Sequence, residues 1–121
     1  MEENRFGQVK ISNDVIATIA AMAALEIEGI ETSTTFTDKI LKNNGVKVLV
    51  EDGDVNVDIV ILVKYGQPIA DVARKVQENI KYNIESMTGL EVSQVNVQVQ
   101  GISFKKEKAE KVEEKQPKAK N

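Results

Sequence analysis

The chain has 121 residues, of which 41% are hydrophobic, so it is long enough for one domain with an aliphatic core and a tail. It contains no cysteine and no histidine, which excludes disulfides, thiolate metal sites and the commonest general base. The net charge of -3 is unevenly divided, because residues 105–121 carry seven Lys against four Glu while the rest of the chain is acidic. An acidic body argues against a nucleic-acid footprint, which needs a basic face.

The N-terminal sequence has no targeting or membrane-spanning pattern. Met1 is followed by two glutamates and not by the basic and then apolar run of a signal peptide. The apolar stretch over residues 15–25 has 11 residues, whereas a helix needs about 20 to span a bilayer. We therefore expect a cytoplasmic protein with no membrane span of its own.

Two elements are predicted at the start of the chain. Residues 8–12 alternate polar and apolar side chains, which is typical of a short strand. Ser12 and Asp14 then provide the capping oxygen and the acidic first turn that favour a helix. We expect this helix to run to about Glu28 and to end at Gly29 in a left-handed conformation.

The first predicted helix is apolar and alanine-rich nearly all round. Small side chains allow close packing against a sheet and a second helix, and the outer side of the helix is alternatively a contact with another subunit. Residues 31–45 follow as a loop, with a short helix predicted over residues 37–43. This segment is interpreted as a connector, with a lid or partner loop as the alternative.

The middle of the chain predicts a β-hairpin. Residues 46–51 and 54–65 alternate with the period of two that marks strands, and Asp52-Gly53 between them favours a two-residue turn with positive φ. A slip of one residue would move every valine to the other face, so the alternation specifies the register. That register opposes Val50 with Val55, Val48 with Val57, Val46 with Ile59 and Lys47 with Asp58.

A second helix and a last strand complete the folded part. Pro68 suits the first turn of a helix, apolar residues recur at helical spacing for five turns, and Gly89 ends them. Residues 91–100 alternate again as a strand, with valines inward and amides outward. The Lys- and Glu-rich residues 105–121 offer almost nothing to bury and predict a charged, disordered tail.

These elements predict an α+β fold in β-α-β-β-α-β order. We expect a two-layer sandwich in which both main helices cover one face of a four-stranded mixed sheet. The domain is assigned to residues 1–104 and the tail to residues 105–121. The order of the strands within the sheet is left open.

Several short stretches, in this order and spacing, resemble the alkaline-shock-protein family of Gram-positive cell-envelope stress proteins. The resemblance spans about residues 5–104 and rests on residues 7–12 (GQVKIS), 26–30 (EIEGI), 45–48 (GVKV), 54–58 (DVNVD), 65–69 (YGQPI) and 87–90 (MTGL). It implies a non-enzymatic cytosolic protein with no catalytic residues to carry over. It also implies a separate membrane anchor protein as partner, or, in some branches, control of fatty-acid synthesis at acetyl-CoA carboxylase.

Other classes fit the residues less well. RNA-recognition modules share the predicted order, but they need sheet aromatics in basic surroundings, and this sheet offers mainly Gln, Asn and Val. Iron–sulfur assembly chemistry is unsupported without cysteine. Asp52, Asp54 and Asp58 are interpreted as turn and strand residues, so no metal and no cofactor is expected. Small-molecule sensor domains remain an alternative, because they share the predicted order of strands and helices. They usually bind ligands at dimer interfaces.

Three apolar residues interrupt the polar face of the predicted sheet. Leu49, Val60 and Leu62 lie where a domain with both helices on one side would expose them. We expect them to form a surface for self-association or for a partner protein. The alternative is that residues 31–45 or the tail cover them.

Overall fold

The structure, a computed structural model, describes residues 5–32 and 45–104. Its elements are helix α1 (Asn13–Leu25), strands β1 (Val46–Glu51) and β2 (Asp54–Lys64), helix α2 (Ile69–Thr88) and strand β3 (Glu91–Ser103). The helix predicted over residues 37–43 and the tail over residues 105–121 lie outside the described residues.

The described strands form a mixed sheet in the order β1-β2-β3. β1 and β2 are antiparallel, and their register is the predicted one, including Val46 opposite Ile59 and Lys47 opposite Asp58. Asp52 and Gly53 at the turn have φ angles of 52° and 83°. Positive φ at both central residues is the geometry of the turn that matches the twist of the flanking strands. β2 and β3 are parallel and are connected through α2.

The strand predicted over residues 8–12 is not observed, so that prediction was wrong. These residues have no strand geometry, and the Val9 side chain is 64% exposed. The edge of β2 beyond β1 is taken instead by the backbone that follows α1. There the Lys64 N–H donates to the Gly29 carbonyl (2.8 Å), and the Glu31 N–H donates to the Leu62 carbonyl (2.9 Å). The described residues therefore form three strands in α-β-β-α-β order, where four strands were expected.

The first helix begins as predicted and ends earlier. The Ser12 hydroxyl accepts a hydrogen bond from the Val15 N–H (3.3 Å), which satisfies one free donor of the first turn. The helix ends at Leu25 with a right-handed cap, so Gly29 does not terminate it. Gly29 has a φ of 101° and lies where the chain passes α2, since a Cβ there would be 2.9 Å from Cγ2 of Val72.

The second helix is confirmed at both ends. It starts directly after Pro68, and Gly89 ends it in a left-handed conformation with a φ of 77°. The Gly89 N–H donates to the Glu85 carbonyl (3.0 Å), which satisfies a carbonyl of the last turn.

One apolar core lies between the sheet and both helices, as expected for two layers. Alternate residues of β2 are fully buried there and meet the apolar sides of α1 and α2. The Asn79 amide ties the helices together by donating to the Ala23 carbonyl (2.8 Å). The largest fully buried side chains are Ile16, Ile30, Ile59, Ile61, Ile80 and Ile84, with Val55, Val57, Val63 and Val76.

Candidate functional site

The face of the sheet opposite the helix layer is the candidate site, and we call it the open face. Side chains alternate along a strand, so the residues between the buried positions of β2 point to this face. β1 and β3 contribute their neighbours in register. The open face includes Lys47, Leu49, Asn56, Asp58, Val60, Leu62, Gln94, Asn96 and Gln98.

Val60 and Leu62 lie next to each other on the same side of β2, and both are half-buried. The Val60 N–H donates to the Gly45 carbonyl (2.9 Å), which holds its backbone in place. Leu62 lies at the end of the open face that α1 reaches, since its side chain packs against Ala21 of that helix. It also lies over Gly101, where a Cβ would come within 3.1 Å of Leu62 Cδ2.

Leu49 is separated from these two residues. Its side chain is 54% exposed and lies opposite Asn56. Asn56 and Val60 are four positions apart on β2, which is about 13 Å at 3.3 Å per residue. Lys47 and Asp58 lie between them in register. Of the three predicted contact residues, the structure brings together Val60 and Leu62 only.

A shallow groove of about 330 Å³ runs beside Val60 on the open face. Polar side chains from all three strands line it: Lys47, Asp58, Asn96 and Gln98. The Asn96 amide donates to Oδ1 of Asp58 (2.8 Å). Lys47 and Asp58 are neighbours in register but do not form an ion pair. The ion pairs within residues 45–104 are Arg74–Asp71 and Lys81–Glu85. The groove thus presents an ammonium group and an amide-bound carboxylate beside an apolar side chain.

The sequence predictions missed an exposed aromatic pair. The rings of Tyr65 and Phe104 are 5.8 Å apart between centroids, and they are 73% and 75% exposed. Each residue follows the end of its strand, and the Tyr65 N–H donates to the Ser103 carbonyl (2.9 Å). Parallel pairing of β2 with β3 places these two ends side by side. Only this pairing reveals the aromatic pair, and the sequence alone does not order the strands.

Among the described charged groups, Glu85 has a clearly shifted pKa. No three acidic side chains among residues 5–32 and 45–104 are grouped so that they could hold a metal ion. The pKa of Glu85 is lowered, mainly by a hydrogen bond from Lys81 and then by one from the Val92 N–H, in an ion pair that joins α2 to β3. No helix in the described part of the chain combines the length and apolarity needed to cross a bilayer.

Comparison with known proteins identifies the family. Residues 1–104 match the model of the alkaline shock protein 23 family, which is described by a cell envelope-related function. The chain belongs to this family. The resemblance inferred from the sequence is therefore confirmed over the whole described part of the chain.

Relatives in the alkaline shock protein 23 family come from Bacillus and Streptococcus. The YloU protein of Bacillus subtilis (strain 168) is 37% identical over 108 residues, which cover 81% of this chain and 90% of YloU. YqhY of the same strain is 34% identical over 111 residues, covering 85% of this chain and 82% of YqhY. Among solved structures, a MamM CTD variant matches with a TM-score of 0.48 and 11% identity, covering 73% of this chain and 94% of that one.

Proposed function

We propose that the chain is a non-enzymatic interaction protein of the bacterial cell-envelope stress response, which binds a partner protein through Val60 and Leu62. Family membership supports the link to the envelope. The observation that carries the contact surface is the pair of adjacent, half-buried apolar side chains on the open face. Polar side chains from all three strands lie beside Val60 at one end of this pair, which gives an apolar contact centre with a polar rim on that side.

The partner in this proposal is an integral membrane protein that holds the chain at the envelope. Covering the exposed parts of Val60 and Leu62 would contribute roughly 25 cal/mol for each Å² of apolar surface removed from water. The Lys47 ammonium and the Asp58–Asn96 pair at the rim would then select partners with complementary polar groups.

Affinity capture from solubilised membranes tests the proposal. The tagged wild-type chain should recover an integral membrane protein, and Val60→Lys should lose it because a charge then lies at the centre of the contact. Met87→Lys is the matched control, since Met87 is 65% exposed on α2, in the other layer. Circular dichroism checks that each variant is folded, and Leu62→Lys is added second because Leu62 also packs on Ala21.

The recovered protein separates the competing functions. Recovery of an acetyl-CoA carboxylase subunit in place of a membrane protein would favour control of fatty-acid synthesis. Equal recovery by the wild type and Val60→Lys would contradict the assignment of the open face as the contact surface.

The groove beside Val60 favours a second candidate, a small-molecule-sensing domain. A ligand that binds the native state raises the unfolding temperature in a saturable way. Saturable stabilisation by a metabolite, lost in Asp58→Asn and kept in Asp71→Asn, would support sensing. Asp71 is a suitable control because its ion pair with Arg74 lies on α2, away from the groove.

A further inference from the structure

Strand β3 is at the edge of the described sheet, with β2 on one side only. It runs from Glu91 to Ser103, which is about 40 Å at 3.3 Å per residue. A strand in this position has a row of backbone N–H and C=O groups that point away from the sheet and can pair with another chain. We call this row the β3 edge.

Helix α2 covers the first part of the β3 edge. Lys81 Nζ donates to the Val92 carbonyl (2.7 Å), and a Glu85 carboxylate oxygen accepts from the Val92 N–H (2.9 Å). Gln77 Nε2 donates to the Val95 carbonyl (3.0 Å). Val92 and Val95 therefore direct these backbone groups away from β2. The irregularity in the register before Gln94 accounts for their spacing of three.

Further along the strand, the described residues give this edge no such cover. Backbone groups alternate in direction, so Val97 and Val99 carry the next N–H and C=O groups of the β3 edge. Among the described residues, the side-chain bonds from α2 reach no further than Val95. The side chains show the same change, since Val95 is 9% exposed while Val97 and Val99 are only half-buried.

The uncovered part of the edge lacks the usual protection against pairing. Edge strands are commonly protected by lysines, prolines or inward-pointing charges. Residues 92–104 contain no charged residue and no proline. Valines face the core side at 95, 97 and 99, and amides occupy 94, 96, 98 and 100. This strand can therefore pair with a copy of itself without burying a charge.

We propose that the β3 edge binds the β3 edge of a second copy of this chain, in antiparallel orientation about Gln98. Val97 then lies opposite Val99 of the partner subunit, and each such pair exchanges both of its N–H···O bonds. The valines of both copies continue one apolar face, and the two Gln98 amides meet at the two-fold axis. This goes beyond the proposed function, because it uses a different surface and a different partner.

Charge favours antiparallel over parallel pairing. The residues that follow Phe104 carry seven Lys against four Glu. A parallel pair would place two such segments side by side, whereas an antiparallel pair sends them to opposite ends. In the antiparallel pair, the part of each edge that α2 covers, at Val92 and Val95, lies outside the central bonds made by Val97 and Val99. Helix α2 therefore does not block those bonds.

Sedimentation equilibrium of the purified chain tests the pairing. We expect the wild type to show about twice the chain mass of 13.4 kDa. Val97→Pro should shift it to the monomer mass, because proline removes the edge donor while the N–H bonds to β2 stay intact. A wild-type chain that stays monomeric at high concentration, or a folded Val97→Pro variant that stays dimeric, would overturn the proposal.

Charge complementation at Gln98 is a second test that does not depend on backbone changes. Gln98 is exposed, so Gln98→Lys and Gln98→Glu should both fold. Like charges opposite each other should weaken each homodimer roughly two- to fivefold at low salt, and mixing the two variants should restore or exceed wild-type association. Gln94→Lys, on the same strand and away from the axis, should leave the dimer unchanged. No rescue on mixing contradicts the pairing.

The outcome is distinguishable from that of the proposed function. Val60→Lys changes the open face of β2 and leaves the β3 edge intact, so it should lose the membrane partner and remain dimeric. A Val60→Lys variant that becomes monomeric while Val97→Pro stays dimeric would place self-association on the open face and overturn this inference.

Discussion

Gly29 connects the end of α1 to the backbone that pairs with β2. Its carbonyl accepts the Lys64 N–H, its φ is 101°, and Val72 of α2 lies where a side chain would begin. Only glycine combines this conformation with this proximity, because a Cβ would meet Cγ2 of Val72 at 2.9 Å. Val72 is β-branched and 3% exposed, so it has little freedom to move aside.

Gly29→Ala should therefore destabilise the fold by more than backbone strain alone. Gly66→Ala is a matched control, since Gly66 has a φ of 96° and nothing within 4 Å of its Cβ position. Strain should cost each variant about 1–3 kcal/mol, and overlap with Val72 should add on the order of 1–2 kcal/mol for Gly29→Ala. Urea unfolding measures the difference between the two. Equal losses would mean that Val72 yields without cost.

Single residues also show how much of the candidate site the sequence predicts. Val60 and Leu62 are detectable because apolar residues interrupt an otherwise polar alternation. Val60 and Leu62 are close because residues two positions apart on a strand share a face. The hairpin register places Leu49 beside Asn56, away from both. The packing of Leu62 on Ala21 was not predictable, because it depends on where α1 lies relative to the sheet.

At the level of elements, α2 and β3 are joined by a short polar clamp. Lys81 and Glu85 are one helical turn apart and bond to each other at 2.8 Å. Each also bonds to the Val92 backbone, one to the carbonyl and one to the N–H. The clamp satisfies backbone groups at the start of β3 that would otherwise face solvent.

The clamp predicts a pH-dependent stability. The folded-state pKa of Glu85 is lowered from its ordinary value of 4.5 by the bonds from Lys81 and from Val92. The ionised carboxylate therefore stabilises the fold above about pH 4.5, and this contribution is lost as the pH falls through the lower folded-state pKa. Glu85→Gln should lower the urea midpoint at pH 7 and have little effect at a pH well below 4.5. Glu78→Gln, at an exposed position of the same helix, is the control, and equal effects of Glu85→Gln at both pH values would contradict the prediction.

The elements that the sequence predicted most accurately have a local signal at a turn or at their ends. The hairpin has Asp52-Gly53, and α2 has Pro68 and Gly89. The predicted first strand had only five alternating residues, two of them apolar, and no turn to position it, and the backbone after α1 occupies the available edge of β2. Strand order was not predictable, because parallel pairing of β2 and β3 depends on how α2 crosses between them. The β3 edge and the Tyr65–Phe104 pair both follow from that order.

At the level of the whole molecule, the described core is contained within the family-matched part of the chain. Its fully and partly buried members extend from Ile11 to Val99. We therefore expect a chain shortened to residues 1–104 to unfold at the same temperature as the full chain. A second truncation after Gln98, which removes the β3 partners of Ile61 and Val63, should unfold at a markedly lower temperature. Calorimetry of the three chains checks both expectations, and a lower midpoint for residues 1–104 would show that the tail packs on the domain.

The backbone bonds to β2 both before and after residues 33–44, and the two bonds lie close together on that strand. The Glu31 N–H bonds to the Leu62 carbonyl, and the Gly45 carbonyl bonds to the Val60 N–H. Leu62 and Val60 are two positions apart, or about 7 Å. Because both anchors are backbone groups, these two bonds do not depend on which side chains lie between Thr32 and Gly45. We therefore expect an insertion between Thr32 and Gly45 to leave the register of the described strands unchanged.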